Sequence, residues 1–241
     1  MNTINDVYEI LDTATFAKAT DSDMKRSNAN VNADSSMGAM LTYGSETARL
    51  WVDDNLLDDD VKQAVEDNIL YIHDKDFYGL TFTCCQIELD RLFHGGFDTG
   101  HGHIREPNSI ATAAALCCIA IQSNQNDMFG GQAIPSFDHY LAPYVKRSYE
   151  KNYIKLTELF NELNEREENY ARLPQLAWAQ TVEQTQQAME ALIHNLNTMN
   201  SRAGAQVPFS SINYGTDTTK EGRLVTYCLL EATEKGLGRV S

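Results

Sequence analysis

Positive charge is what this chain has least of. Nineteen Lys and Arg stand against 34 Asp and Glu, a formal net charge of -15, so no extended basic surface is available to wrap a nucleic-acid polyanion. A single nucleotide stays within reach, because a few local donors suffice to hold one. Cysteine is sparse and poorly arranged for crosslinking: five residues, at 84, 85, 117, 118 and 228, form two adjacent pairs and an odd remainder, which argues against a disulfide framework and for a reducing, cytoplasmic setting. Five prolines, no low-complexity linker and no internal repeat leave no firm boundary, so 1–241 is read as a single domain. The opening Met1-Asn2-Thr3-Ile4-Asn5-Asp6 has no basic region followed by an apolar run. The longest apolar stretch, Ile110 to Ile121, is too short and too dotted with Thr to span a bilayer. The expectation is a soluble protein without membrane or nucleic-acid partners, and 241 residues are enough to bury a full core.

Periodicity supplies the rest of the organisation. Helical spacing predicts helices over 4–19 and 46–68, with a polar loop at 20–36 between them. From Leu70 to Ile87 the pattern becomes short aromatic and β-branched runs, Leu70–His73 and Leu80–Ile87, that read as strands. Gly95, Gly96, Gly100 and Gly102 mark an extended loop, and 108–123 reads as a buried, Ala-rich helix. Two long helices follow. The first, about 139–168, carries Val145, Tyr149, Tyr153, Leu156, Phe160 and Leu163. The second repeats Trp178, Val182, Thr185, Met189, Leu192, Leu196 and Met199 in a heptad seam. A short link containing Pro174 predicts an antiparallel helical hairpin, about 139–199. Val207 to Tyr214 reads as a strand and 219–235 as a closing amphipathic helix, so the fold class is α/β.

Several side chains could carry chemistry. Cys84 and Cys85 sit in a predicted strand, where neighbours face opposite ways, so only one can enter a given site; two small core residues are the plain alternative. Cys117, Cys118 and Cys228 lie on apolar helical faces and read as packing. His101 and His103 could begin a metal site, but no third ligand follows at a recognised spacing, and His73, His94, His139 and His194 are scattered, so no metal is expected here. There is no nucleophile elbow and no Walker-type loop. Gly130-Gly131-Gln132 signals a turn. Asn28, Asn30, Asn32 and Asp34, at alternate positions, could present amide and carboxylate groups to a polar ligand, or simply form Asx turns.

Taken together, these stretches resemble the class III, oxygen-sensitive ribonucleoside-triphosphate reductases. The resemblance rests on the Asn28–Gly38 loop, Tyr71 to Asp76, Thr83-Cys84-Cys85-Gln86, Gly100-His101-Gly102 with Arg105 and Pro107, Asn124–Pro135 running into Phe137-Asp138, and Ser201–Tyr214. It implies the first part of the ten-stranded α/β barrel of glycyl-radical enzymes, with the hairpin as a homodimer contact. In that family a glycyl radical generates a thiyl radical that abstracts the ribose 3′-hydrogen, and a second cysteine donates hydrogen to the radical intermediate. Cys84 matches that donor. The resemblance further implies substrate contacts from Asn28, Asn30, Asn32, Asp34, His73, Ser201 and Arg202, and relays toward ATP or deoxynucleoside triphosphate effectors from Gln125, Asn126, Gln132 and Gln206. The thiyl-forming cysteine, the four-cysteine zinc site, the radical glycine and the regulatory cone are not found in this sequence. The expectation is therefore a reductase portion that needs a C-terminal half and a radical-SAM activating enzyme. A non-catalytic nucleotide-binding or dimerisation module, an inactive remnant with exposed barrel edges, and a part of another glycyl-radical enzyme such as a formate lyase are the competing readings.

Overall fold

The computed structural model describes residues 35–79, 82–203 and 206–238, together with the backbone of 26–27 and 31–32; the helix expected over 4–19 lies outside them. The chain divides into two compact units, each built from separated segments. One comprises Met1–Cys85, Gln125–Gly131 and Asn200–Phe209; the other comprises Gln86–Asn124, Gln132–Met199 and Ser210–Ser241.

In the first unit, β1 (Arg26–Ser27) pairs antiparallel with β2 (Val31–Asn32), within the segment expected to be loop. Helix α1 spans Ser36–Asn55 and α2 spans Asp59–Glu66, where one helix over 46–68 was expected. The start comes earlier because the Ser35 hydroxyl accepts the Gly38 amide at 3.0 Å, a capping bond that satisfies an orphan donor of the first turn. The break comes because Asp58 sits at an N-cap with Asp59 and Asp60 in the turn that follows, where carboxylates favour a new helix start.

The predicted strand Leu70–His73 does not form. Asp74 takes a left-handed conformation (φ 51°) and leads into a single 3-10 turn, Lys75–Phe77. Side chains fix that turn to α1: Lys75 Nζ donates to both carboxylate oxygens of Asp53 at 2.8 and 2.7 Å, and buried Asp76 accepts the Ser45 hydroxyl at 2.6 Å with Arg49 Nε at 3.8 Å. These two anchored positions outweigh a strand propensity that depends on having a cross-strand neighbour.

The second unit holds the main core. Strand β3 is Cys85–Gln86, at the point where the chain passes from one unit to the other, and a short α3 (Leu89–Phe93) follows. The Gly-rich stretch read as a loop is instead a hairpin of β4 (Phe97–Asp98) and β5 (His103–Ile104), with the Asp98 carboxylate accepting the Gly100 amide in the turn at 2.8 Å. Next come α4 (Ile110–Asn124), β6 (Gln132–Ile134), α5 (Phe137–Glu162), α6 (Glu167–Tyr170), α7 (Leu173–Thr198), β7 (Ser210–Ile212) and α8 (Lys220–Lys235). The sheet order is β3-β6-β7, and β6 runs parallel to β7 in the register Gln132–Ser210, Ala133–Ser211, Ile134–Ile212. Leu89, Phe93, Ile110, Cys117, Ile121, Ile134, Phe137, Leu141, Val145, Met189, Val225 and Cys228 are buried in one cluster, which joins the sheet to the helices by apolar burial.

The buried face of α7 differs from the predicted seam. Leu173, Ala177, Thr181, Thr185, Ala188, Met189, Leu192 and Leu196 are buried, whereas Met199 lies beyond the helix and is exposed. Small Ala and Thr side chains do not read as apolar in a heptad, yet they suit a close helix approach. In that contact Asn152 of α5 donates to Thr181 Oγ1 at 2.9 Å and to Gln184 Oε1 at 3.1 Å, and accepts from Gln184 Nε2 at 3.2 Å. Asn152→Ala removes three bonds at a buried site and should lower stability by about 2 kcal/mol. A urea titration with an unchanged slope and a loss under about 0.5 kcal/mol would show the network to be dispensable.

Candidate functional site

Among the described residues of the first unit, several chemistry-bearing ones gather where three segments meet: Phe82–Cys85, Gln125–Gly131, and Ser201–Ala203 with Gln206. The Phe129 amide donates to the Phe82 carbonyl at 3.3 Å, and the Cys85 amide to the Gly131 carbonyl at 3.2 Å. Between these two bonds Gly130 takes φ +74°. A side-chain carbon added there would stand 1.9 Å from the Thr83 carbonyl oxygen and 3.4 Å from the Cys84 sulfur. The backbone therefore passes so close to Thr83 and Cys84 that only glycine fits. The Gly130-Gly131 pair, read in the sequence as a turn, is the signal for this approach.

The predicted strand is correspondingly interrupted, since β3 begins only at Cys85. Cys84 lies just before it with an exposed thiol, while Cys85 is partly buried. The remaining three cysteines are chemically quieter. Burial holds the Cys117 thiol well above its ordinary pKa, pushes Cys118 up to about 11, and, with Glu231 nearby, takes Cys228 to about 12. Such thiols stay protonated and poorly nucleophilic.

The third segment is clamped onto the second. The Ser201 hydroxyl donates to the Gln125 side-chain oxygen. Arg202 Nη1 donates to the carbonyls of Met128 at 3.0 Å and Gln125 at 3.4 Å, and its guanidinium lies 5.0 Å from the centre of the Phe129 ring, within cation–π range. Burial lowers the Arg202 pKa from its usual value, though a guanidinium so basic stays charged. Phe129 in turn stacks on Phe77 at 4.1 Å. Gln206 is buried and forms a backbone bridge with Arg202. Met128, Phe129 and Phe77 were not singled out from sequence, because isolated apolar residues in loops carry no period.

The other predicted residues are not among those linked here. The side chains of Asn28, Asn30, Asn32 and Asp34 lie outside the described residues, and only the backbone of Asn32 is seen, in β2 opposite Arg26. His73 is exposed, with Nδ1 2.8 Å from an Asp74 oxygen. Asn126 is exposed. In the second unit Gln132 is buried: Nε2 donates to the Ile121 carbonyl at 2.9 Å, and Oε1 accepts from Asn124 at 2.8 Å. Among the described residues no three His, Cys, Asp or Glu side chains gather as metal ligands would, and no helix is long and apolar enough to cross a membrane. A cavity of about 540 Å³ lies along α1 beside Met40, Tyr43 and Trp51, and one of about 590 Å³ between α4 and α7; Cys84 lines neither.

This is an α/β architecture, mostly helical with a small parallel sheet, and it is shared with solved anaerobic ribonucleotide reductases. The enzyme from Thermotoga maritima, crystallised with dATP and CTP, superposes with a TM-score of 0.54 at 12% identity, over 93% of this chain and 37% of that one. The family model for anaerobic ribonucleoside-triphosphate reductase matches residues 27–241, and the chain belongs to that family. Its sequence is 31% identical over 189 residues to the anaerobic ribonucleoside-triphosphate reductase of Enterobacteria phage T4, covering 77% of this chain and 29% of that protein. It is 31% identical over 194 residues to the Escherichia coli K12 protein of the same name, covering 80% of this chain and 26% of that one. The chain thus spans less than a third of the length of these two relatives.

Proposed function

We propose that this chain supplies one part of an anaerobic ribonucleoside-triphosphate reductase, with Cys84 as the thiol that donates hydrogen to the substrate radical while the ribose 2′-hydroxyl is lost. The product would be a deoxyribonucleotide for DNA synthesis. The observation that carries this reading is the position of Cys84: an accessible thiol within the family match, seated against a glycine turn that admits no side chain. A thiol S–H is a weak bond suited to hydrogen-atom donation in a site that excludes water.

In this reading, Asn28, Asn30, Asn32, Asp34, His73, Ser201 and Arg202 face the ribonucleotide, and Gln125, Asn126, Gln132 and Gln206 respond to ATP or deoxynucleoside triphosphate effectors. The fold forms the first part of a ten-stranded barrel. Helices α5 and α7, whose contacts run from Leu156 with Leu173 and Ala177 to Asn152 with Thr181 and Gln184, form an antiparallel hairpin that pairs with a second copy. The reaction in this reading further needs the family's glycyl radical, its radical-SAM activating enzyme and the zinc-site cysteines, in the cytoplasm. Exposed Ile69, Tyr71 and Phe82 in the first unit fit a surface that meets further polypeptide.

The test is reconstitution under anaerobic conditions with a polypeptide carrying the family's remaining segments and with the activating enzyme, reading deoxyribonucleotide by chromatography. Product is expected from the wild-type chain and none above background from Cys84→Ser. Equal rates from both would end the assignment of Cys84. Failure to form product, while an undivided parent reductase works alongside, would end the split-reductase reading.

A further inference from the structure

The donor reading makes the exact seat of the Cys84 thiol matter. Strand β3 begins one residue later, and the thiol is exposed. What bears on it is Gly130, close to both the Thr83 carbonyl and the Cys84 sulfur. Gly130 in turn belongs to a loop, Gln125–Gly131, whose conformation is held by contacts with another segment. Arg202 Nη1 takes the carbonyls of Gln125 and Met128, its guanidinium covers Phe129, and Phe129 is bonded through its amide to Phe82 and stacked on Phe77.

We infer that Arg202 is a positioning residue for Cys84: by clamping Gln125–Gly131 it presses Gly130 against the Thr83–Cys84 backbone and sets where the thiol sits. This rests on the proposed role of Cys84 but concerns a different residue and a different measurement. Among the described residues the clamp engages Nη1 and the face of the guanidinium, and further N–H groups can serve a ligand. A nucleotide drawing on those remaining donors would therefore act on the thiol through the same side chain.

The test is hydrogen–deuterium exchange on the whole chain, wild type and Arg202→Gln, followed in peptides covering 82–87 and 125–131, with iodoacetamide alkylation of Cys84 mapped in parallel. Buried Cys117, Cys118 and Cys228 serve as reporters of an intact fold. Losing the clamp should accelerate exchange in both segments and alkylation of Cys84 by about tenfold, the factor that one charge-assisted hydrogen bond commands. Arg202→Lys, which keeps a cation near Phe129 and one donor, should fall between.

Loosening of 125–131 with no change in 82–87 or in Cys84 would overturn the inference, as would no change anywhere. Should Arg202→Gln unfold the chain, Phe129→Leu removes the stacked ring with the arginine intact and must give the same joint acceleration, or the coupling is wrong. If the coupling is found while Cys84→Ser reconstitutes a fully active reductase, the donor reading fails and the positioning of the thiol by Arg202 stands.

Discussion

Alanine at Gly130 is expected to destabilise the protein by about 3 kcal/mol, while alanine at the adjacent Gly131 changes stability by less than about 0.5 kcal/mol. The contrast follows from backbone geometry. Gly130 has φ +74°, where an L side chain costs roughly 1–2 kcal/mol by itself, and its new Cβ would lie 1.9 Å from the Thr83 carbonyl oxygen. That neighbour is backbone, which cannot swing aside as the tip of a flexible side chain can. The loop Gln125–Gly131 must then back away from Thr83, weakening the bonds from Phe129 to Phe82 and from Cys85 to Gly131. Gly131 has open space around its added carbon and no positive φ, and its carbonyl, the acceptor for Cys85, survives the change. Urea titration of both variants gives the comparison, and in the reconstituted reductase Gly130→Ala should lose product formation while Gly131→Ala retains it. Equal behaviour of the two glycines would mean that the close approach is not maintained in solution.

How far the sequence disclosed this depends on what each residue's signal was made of. Helices α5, α7 and α8 were readable because their apolar residues recur at helical spacing, and α4 because its run is apolar and Ala-rich; the helix expected over about 139–168 ends at Glu162, and a separate short helix, Glu167–Tyr170, follows. Of the strands, β3 and β7 fall inside the runs Leu80–Ile87 and Val207–Tyr214 that read as strands; the others were not readable, because each has two or three residues, too short for an alternation to show. Leu70–His73 carries strand-forming residues, yet its neighbours Lys75 and Asp76 are tied to Asp53 and Ser45 on α1, ion pairs and hydrogen bonds between residues distant in sequence that no local pattern displays.

At the candidate site, Cys84, Ser201, Arg202, Gln125 and Gln206 were named by resemblance, and in the first unit Ser201, Arg202, Gln125 and Gln206 are linked to one another. What the resemblance did not contain was the means of that linkage. Phe129 and Phe77 matter through a stacked contact, and Gly130 matters through the side chain it lacks. The same holds for Asp138, which resemblance marked as part of a motif without saying what the carboxylate does.

In the second unit, Asp138 lies in the first turn of α5 with no exposed surface. One carboxylate oxygen accepts the amides of Gly215 and Asp217, both at 2.9 Å, and the other accepts the Thr216 hydroxyl at 3.2 Å. The segment following β7 is also joined to this region through the Asn213 amide to the Ile134 carbonyl at 3.0 Å and the Phe137 amide to the Asn213 carbonyl at 2.8 Å. A buried carboxylate is tolerable only while such donors, together with the positive end of the helix dipole, take the place of water. Asp138→Ala leaves three donors without their acceptor and should cost about 3 kcal/mol, a fall in Tm of roughly 6–12 °C for a chain of this size. Asp138→Asn is the sharper probe. It preserves volume but has one acceptor oxygen, so its amide N–H₂ must confront either the two backbone amides or the threonine hydroxyl. Facing the amides, it opposes donor to donor; facing the hydroxyl, it keeps the backbone bonds but loses the charge that strengthens them. Asparagine should therefore recover less than half of the loss. Calorimetric melting of the two variants decides the matter: an asparagine variant as stable as the wild type would show that shape alone, and not the negative charge of Asp138, secures the chain between β7 and α8.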